Sequence, residues 1–111
     1  MAACQFLINK GLLLLEKNYR SNLGEIDLIM QDKEDIVFVE VRYRQKSNFG
    51  NAIETVNQTK IAKLIKTAKL YLQEKCWFYS KTSRFDIVTL QPVKGKLQLD
   101  WIQNAFLVDH L

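Results

Sequence analysis

The sequence predicts an α/β fold, in which a mixed β-sheet is flanked by helices. Runs of β-branched, aliphatic and aromatic residues alternate with two segments of helical periodicity. Two of the β-type runs are separated only by the polar segment 31–35, which is typical of a hairpin. Strands interleaved with helices in this way favour a mixed sheet with helices packed against it.

Length and composition indicate a single domain over residues 1–111. The chain is 48% hydrophobic and 25% charged, which is the balance of an ordinary globular protein. Its net charge of +4 is mild support for an anionic partner such as nucleic acid. Cys4 and Cys76 fit no metal-ligand or redox spacing, so we expect buried, reduced thiols and a cytoplasmic protein. The leucines at 12–15 are too few to span a bilayer, and they predict a buried strand instead of a membrane segment.

The expected elements follow from periodicity and turn residues. Gly11 ends a helix over residues 2–10, and the chain begins so abruptly that part of this helix is expected to be missing. The segment 18–24 predicts a turn because it contains Asn, Ser and Gly. The remaining expectations are a strand at 12–16, hairpin strands at 25–30 and 36–42, a loop over 43–55, a helix from about 56 to 75, and strands at 84–90 and 97–102.

The apolar pattern of the hairpin selects its register. If Asp27 lies opposite Glu40, one face of the hairpin is wholly apolar and consists of Ile26, Leu28, Met30, Val37, Val39 and Val41. The other face then holds Glu25, Asp27, Ile29, Phe38, Glu40 and Arg42. A shift by one residue would mix carboxylates into the apolar face, where an unpaired charge is costly. The register that keeps the core apolar therefore brings the acids together.

Three acids and a cation on one face suit hydrolysis of a phosphodiester. Carboxylate oxygens are preferred ligands of Mg²⁺ or Mn²⁺, and such an ion beside a phosphate activates water and neutralises charge. On the pattern alone, Asp27 and Glu40 are equally well interpreted as solvent-facing residues of an amphipathic hairpin.

The spacing resembles the D-x(n)-E-x-K core of restriction-endonuclease-like nucleases, with Asp27, Glu40 and Arg42 in the three motif places. The surrounding residues are similar to those of the YraN-like family of bacterial proteins. The matching segments are N-Y-R at 18–20, G-E-I-D-L-I at 24–29, V-F-V-E-V-R-Y-R at 37–44, Lys60, Tyr71-Leu72, R-F-D at 84–86 and W-I-Q-N-A-F at 101–106.

This resemblance implies a restriction-endonuclease-like fold of the Holliday-junction-resolvase branch. The implied activity is a metal-dependent endonuclease acting on DNA, including branched DNA, and the implied assembly is a homodimer. The alternative is a catalytically inactive nucleic-acid-binding or scaffold domain, or a domain that binds only protein. A family glutamate that precedes the Ala-Ala segment would lie before Met1 in this sequence.

The resemblance also implies roles for individual residues. Asp27 and Glu40 are expected to hold Mg²⁺ or Mn²⁺, and Arg42 to contact the scissile phosphate. Arginine cannot take a proton from water as a lysine can, which weakens that match. Glu25 is either a third ligand or, as we favour, the partner of Arg42 in an ion pair. Lys60 either supplies an ammonium from the long helix or, as we favour, is a solvated helix residue.

Basic and aromatic residues extend the expected contact with nucleic acid. Candidate phosphate contacts are Arg44, Lys46, Lys60 and Lys63, although a lysine-rich helix is usually just the wet face of an amphipathic helix. Candidate stacking residues are Tyr43, Phe49, Trp77 and Tyr79, although Trp77 and Phe78 are better interpreted as core or rim residues. Asp86 is expected to pair with Arg84 or Arg20 in a structural role.

Overall fold

The computed structural model describes residues 1–44 and 58–106. Along the chain, its elements are α1 (Ala2–Asn9), β1 (Leu13–Ser21), β2 (Gly24–Asp32), β3 (Asp35–Tyr43), α2 (Gln58–Glu74), β4 (Ser83–Val93) and β5 (Lys96–Ile102). Most of the predicted loop over 43–55 and the predicted start of the long helix at 56 fall outside these residues. No helix in the described ranges is long and apolar enough to cross a membrane.

The five strands form one mixed sheet in the order β1-β2-β3-β4-β5. Strands β1 to β3 form an antiparallel meander, β3 and β4 run parallel, and β5 returns antiparallel to β4. A parallel pair needs a crossover, and the chain between β3 and β4 contains α2. The predicted α/β class is therefore confirmed, and the architecture is that of a restriction-endonuclease-like mixed sheet.

The two helices cover opposite faces of the sheet. The core between α2 and the sheet includes Ile26, Ile29, Phe38, Leu64, Ala68, Tyr71, Leu72, Phe85 and Ile87. The core between α1 and the sheet includes Ala3, Cys4, Leu7, Leu28, Met30, Val37, Val39 and Val88. The central strands are buried on both faces, and the spacing of Leu64, Ala68 and Tyr71 along α2 supplies the helix with one apolar stripe.

The predicted hairpin register is confirmed, because Ile29 pairs with Phe38. The ladder between β2 and β3 nevertheless begins only at Leu28 and Val39. The expectation that Ile26 shares a face with Leu28 is wrong, since Ile26 packs under α2 and Leu28 under α1. The part of β2 that precedes Leu28 is not paired with β3. Its side chains therefore do not alternate strictly between the two faces of the sheet.

Strand β1 differs from its prediction in length and in burial. It continues to Ser21, so the turn expected over 18–24 is confined to the residues between Ser21 and Gly24. Leu12 is buried and Leu15 packs against the core, as expected, but Leu13 is 64% exposed and Leu14 is also exposed, so the expectation of a buried strand is wrong for these two residues. The physical reason is position, because β1 is an edge strand and carries a register shift between Leu14 and Glu16.

The cysteines and the aromatic segment after α2 give a mixed outcome. Cys4 is buried as expected, but Cys76 is exposed in the turn that follows α2. Trp77 and Phe78 are partly buried against the core, as predicted.

Asp86 has the structural role predicted for it. Its fully buried carboxylate accepts hydrogen bonds from Arg84 Nε at 3.1 Å and from Trp101 Nε1 at 2.9 Å. It also accepts one from the backbone N–H of Asn104 at 3.0 Å. Arg84 also forms an ion pair with Asp32, at 2.9 Å. Asp86 therefore connects β4 to β5 directly, and it connects β4 to the end of the hairpin through Arg84.

We predict that Asp86→Ala lowers the free energy of unfolding by roughly 3 kcal/mol, because it leaves Arg84 Nε, the Trp101 indole N–H and the Asn104 backbone N–H without their acceptor. Urea denaturation followed by circular dichroism measures the effect. Asp100→Ala is the matched control, since Asp100 is exposed on β5 and should change stability by no more than about 0.5 kcal/mol. Equal effects of the two substitutions would contradict this assignment.

Candidate active site

An open pocket of about 200 Å³ lies where β2 and β3 meet the first turns of α2. Its described lining residues are Gly24, Glu25, Asp27, Glu40, Lys60, Lys63 and Leu64. The pocket therefore gathers the two acids expected from the hairpin and adds two lysines from the helix.

The carboxyl groups of Asp27 and Glu40 line the same pocket and interact electrostatically. Asp27 Oδ2 accepts a hydrogen bond of 2.8 Å from the backbone N–H of Val41, on the neighbouring strand. Asp27 and Glu40 are also within hydrogen-bonding reach of one another through their carboxyl groups. The side chain of Glu40 is only 5% exposed, whereas Asp27 is half-buried and faces the pocket.

Lys60 is the third charged group of the cluster. Its Nζ lies 2.6 Å from Glu40 Oε2, and its side chain is 40% exposed at the mouth of the pocket. The interpretation of Lys60 as only a solvated helix residue is wrong, because its ammonium pairs with Glu40. Lys60 lies in the first turn of α2, and its ammonium points toward Glu40 of β3. This contact depends on how α2 packs across the sheet, which the sequence pattern does not reveal.

The electrostatics of the pocket favour an added positive charge. Burial, together with the neighbouring Asp27, raises the pKa of Glu40 to about 7, although Lys60 acts in the opposite direction. Two adjacent carboxylates repel one another when both are ionised, and a divalent cation between them removes that cost. The single ammonium of Lys60 does so only in part.

The donor set fits a hard cation that retains water ligands. Within residues 1–44 and 58–106, no three His, Cys, Asp or Glu side chains are grouped to hold a metal ion. Mg²⁺ is commonly held by one or two carboxylates, with waters and substrate phosphates completing its shell. Asp27 and Glu40 are the residues that could hold it here.

Gly24 sets how closely α2 approaches the acids. A Cβ built on Gly24 would lie 2.9 Å from Thr67 Oγ1 and 3.6 Å from Lys63 Cβ. Thr67 cannot easily move away, because it is buried and its hydroxyl donates to the Lys63 carbonyl at 2.8 Å. Glycine therefore lets the helix lie directly over β2. The sequence contained this signal in its G-E-I-D segment, but the partner on α2 could not be read from it.

The other predicted site residues are distributed around this cluster. Glu25 lines the pocket, but its ion pair is with Arg20 Nε, at 3.3 Å, instead of the expected Arg42. The cause is register, because Glu25 pairs with Arg20 across β1 and β2 and lies beyond the ladder with β3. Arg42 lies next to Thr89 of β4 and is not among the described lining residues.

The candidate phosphate contacts have partly described positions. Lys63 is exposed and lines the pocket. Arg44 follows β3, and its backbone N–H donates to the Leu90 carbonyl at 2.8 Å. Lys46 and Phe49 lie outside the described residues.

The raised pKa of Glu40 predicts how the stability of the metal-free protein depends on pH. The folded state keeps a proton on Glu40 up to about pH 7, whereas the unfolded chain releases it near 4.5. Stability from this group is therefore fully present below the unfolded pKa and is lost as pH rises toward 7. Glu40→Gln should remove that dependence and be more stable than wild type at pH 8 by on the order of 2 kcal/mol.

Urea denaturation in EDTA from pH 4 to pH 8 checks this expectation. Glu25→Gln is the control, since Glu25 is exposed and should leave the pH profile close to that of wild type. A Glu40→Gln profile that parallels wild type would show that Glu40 does not bind the extra proton.

The close approach at Gly24 predicts a non-additive pair of substitutions. Gly24→Ala should destabilise the fold by about 1 to 3 kcal/mol through overpacking against Thr67. Thr67→Ala removes the crowded hydroxyl, so Gly24→Ala should cost less in that background. A double-mutant cycle of unfolding free energies measures the coupling. Additive effects would place the origin of the cost elsewhere.

Comparison with known proteins identifies the family. The sequence profile of the uncharacterised protein family UPF0102 matches residues 1–90. A UPF0102 protein of Nitrosococcus oceani is 46% identical over 107 residues, covering 96% of this chain and 86% of that protein. One from Vibrio campbellii is 46% identical over 104 residues, covering 93% and 84%. One from Pseudomonas paraeruginosa is 42% identical over 106 residues, covering 94% and 85%. The chain therefore belongs to the UPF0102, or YraN, family.

Proposed function

We propose that this protein is a divalent-metal-dependent endonuclease that acts on DNA phosphodiesters, including those of branched DNA. The observation that supports the proposal is the convergence of the Asp27 and Glu40 carboxyl groups and the Lys60 ammonium on one open pocket. A carboxyl group with a raised pKa, such as that of Glu40, in a cleft beside a charge partner is characteristic of functional sites.

Asp27 and Glu40 are the proposed ligands of Mg²⁺ or Mn²⁺. When bound, the ion would supply an activated water and charge neutralisation at the phosphate. The hydrogen bond from Val41 N–H fixes the orientation of the Asp27 carboxylate, and Lys60 holds that of Glu40. The Asp27 carboxylate is therefore already oriented for a cation, whereas Glu40 would exchange its contact with Lys60 for one with the ion.

Lys60 is the proposed ammonium of the active site. It is half-exposed at the mouth of the pocket, so it can reach a phosphate oxygen or the attacking water as well as Glu40. Arg42 cannot accept a proton, so its proposed role is limited to contact with the scissile phosphate. Lys63, Arg44 and Lys46 are the proposed contacts to the flanking phosphates, because such contacts need only positive charge.

A second candidate function is a DNA-binding domain without turnover. The observation that favours it is the arginine at position 42, where restriction-endonuclease-like nucleases more often have lysine. This alternative keeps the basic rim of the pocket but assigns no chemical role to the two acids.

The proposal predicts nicking of supercoiled plasmid and of branched DNA in Mg²⁺ or Mn²⁺, abolished by EDTA. Asp27→Asn should lower the rate by at least about 100-fold, because it removes a metal-binding charge. The amide oxygen can still accept the hydrogen bond from Val41, so the fold should be retained. Gel analysis of nicked product against time measures the rate.

Two further variants sharpen this test. Lys60→Ala should lower the rate by roughly 100-fold with folding preserved, whereas Asp100→Ala should cleave like wild type. DNA binding without metal-dependent cleavage, unaffected by Asp27→Asn or by chelator, would support the binding domain instead.

A further inference from the structure

A second pocket lies at the far end of α2 and has no part in the proposed catalysis. It is a shallow, open depression of about 340 Å³. Its described lining residues are Gln73, Cys76, Phe78, Tyr79 and Ser80. Most of the surface that these residues offer is apolar, which is unusual for a solvent-facing turn.

The turn that forms this pocket is held in one conformation. Trp77 N–H donates to the Leu72 carbonyl at 2.8 Å, and the N–H groups of Ser80 and Lys81 donate to the Trp77 carbonyl at 3.2 and 3.1 Å. The Trp77 ring packs edge-on against Tyr71 of α2, with ring centroids 6.2 Å apart. The pocket is therefore preformed, and a ligand would not have to order it.

Tyr79 is the residue that the fold leaves unexplained. Its side chain is 97% exposed, and its ring meets Phe78 edge to face, with centroids 4.9 Å apart. A tyrosine in this position buries almost nothing, so it adds little to the stability of the protein. Its ring is open to stacking by a second planar group.

Two lysines border this aromatic segment, whereas Glu16 and Glu74 lie on the side of Tyr71. Lys75 and Lys81 flank the segment, and no acid occurs between them in the sequence. Lys75 Nζ lies over the Tyr71 ring at 5.7 Å, and Lys81 Nζ lies over the Trp77 ring at 5.4 Å. Planar rings bordered by cations are complementary to a nucleotide, whose base is planar and whose phosphate is anionic.

We propose that this pocket binds an unpaired base of DNA, with Tyr79 stacking on the base and Lys75 and Lys81 contacting the adjacent phosphates. Gln73 and Ser80 line the same pocket and offer hydrogen bonds to the edge of the base. The inference deepens the proposed function and rests on it for the identity of the substrate, because it specifies DNA with a single-stranded arm. From Lys60 to Glu74 the helix spans about 21 Å, so a duplex at the acids and a single strand at Tyr79 can bind together.

Fluorescence anisotropy with a labelled oligothymidine and a labelled duplex, in EDTA and in the Asp27→Asn background, tests this proposal without any cleavage. Tyr79→Ala should weaken single-strand binding by roughly tenfold and leave duplex binding unchanged. Tyr79→Phe should bind like the parent, because the ring is retained. Leu13→Ala is the matched control, since it also removes an exposed apolar side chain but lies on the edge strand β1.

Three outcomes would overturn the proposal. They are single-strand binding that is unchanged by Tyr79→Ala, a loss that appears equally in Leu13→Ala or in duplex binding, and a loss in Tyr79→Phe as large as in Tyr79→Ala. Because no metal is present, these outcomes are independent of whether the protein cleaves DNA. Metal-dependent nicking with no effect of Tyr79→Ala would leave the endonuclease standing and remove only the base pocket.

Discussion

The hydrogen bond from Val41 N–H to the Asp27 carboxylate is the contact on which the candidate site depends. The backbone ladder between β2 and β3 ends at Leu28 and Val39. Past this end, the Asp27 side chain accepts the hydrogen bond from the Val41 N–H of β3. A buried N–H group needs an acceptor, so this exchange satisfies β3 while it fixes the position of one acid. Glu40 precedes Val41, and the two carboxyl groups are consequently held side by side.

Helix α2 completes the site because glycine lets it approach. At Gly24 the helix lies so close to β2 that a methyl group would collide with Thr67. That approach delivers Lys60 to Glu40 and Lys63 to the edge of the pocket. The helix also buries Glu40, and burial raises its pKa against the effect of the nearby ammonium. The same packing thus supplies the ammonium of Lys60 and raises the pKa of Glu40.

The sequence could predict what alternation controls and could not predict what depends on the approach of separate elements. The register of the hairpin, and with it the proximity of Asp27 and Glu40, followed from keeping carboxylates out of the apolar face. The contact between Lys60 and Glu40 did not follow, because they lie on elements separated by a long segment. Leu13 was expected to be buried since composition does not reveal which strand forms an edge of the sheet.

An ammonium from α2 also changes what is required of Arg42. In a motif confined to one strand, the residue two positions after the glutamate must serve both the phosphate and the water, and arginine cannot act as a base. Lys60 competes with a metal ion for Glu40, because its Nζ already lies 2.6 Å from Oε2. Lys60 holds Glu40 in the metal-free pocket, and in the proposed endonuclease this half-exposed ammonium would be free to contact the phosphate when Asp27 and Glu40 hold the ion. In the proposed endonuclease, an arginine at position 42 is therefore compatible with turnover.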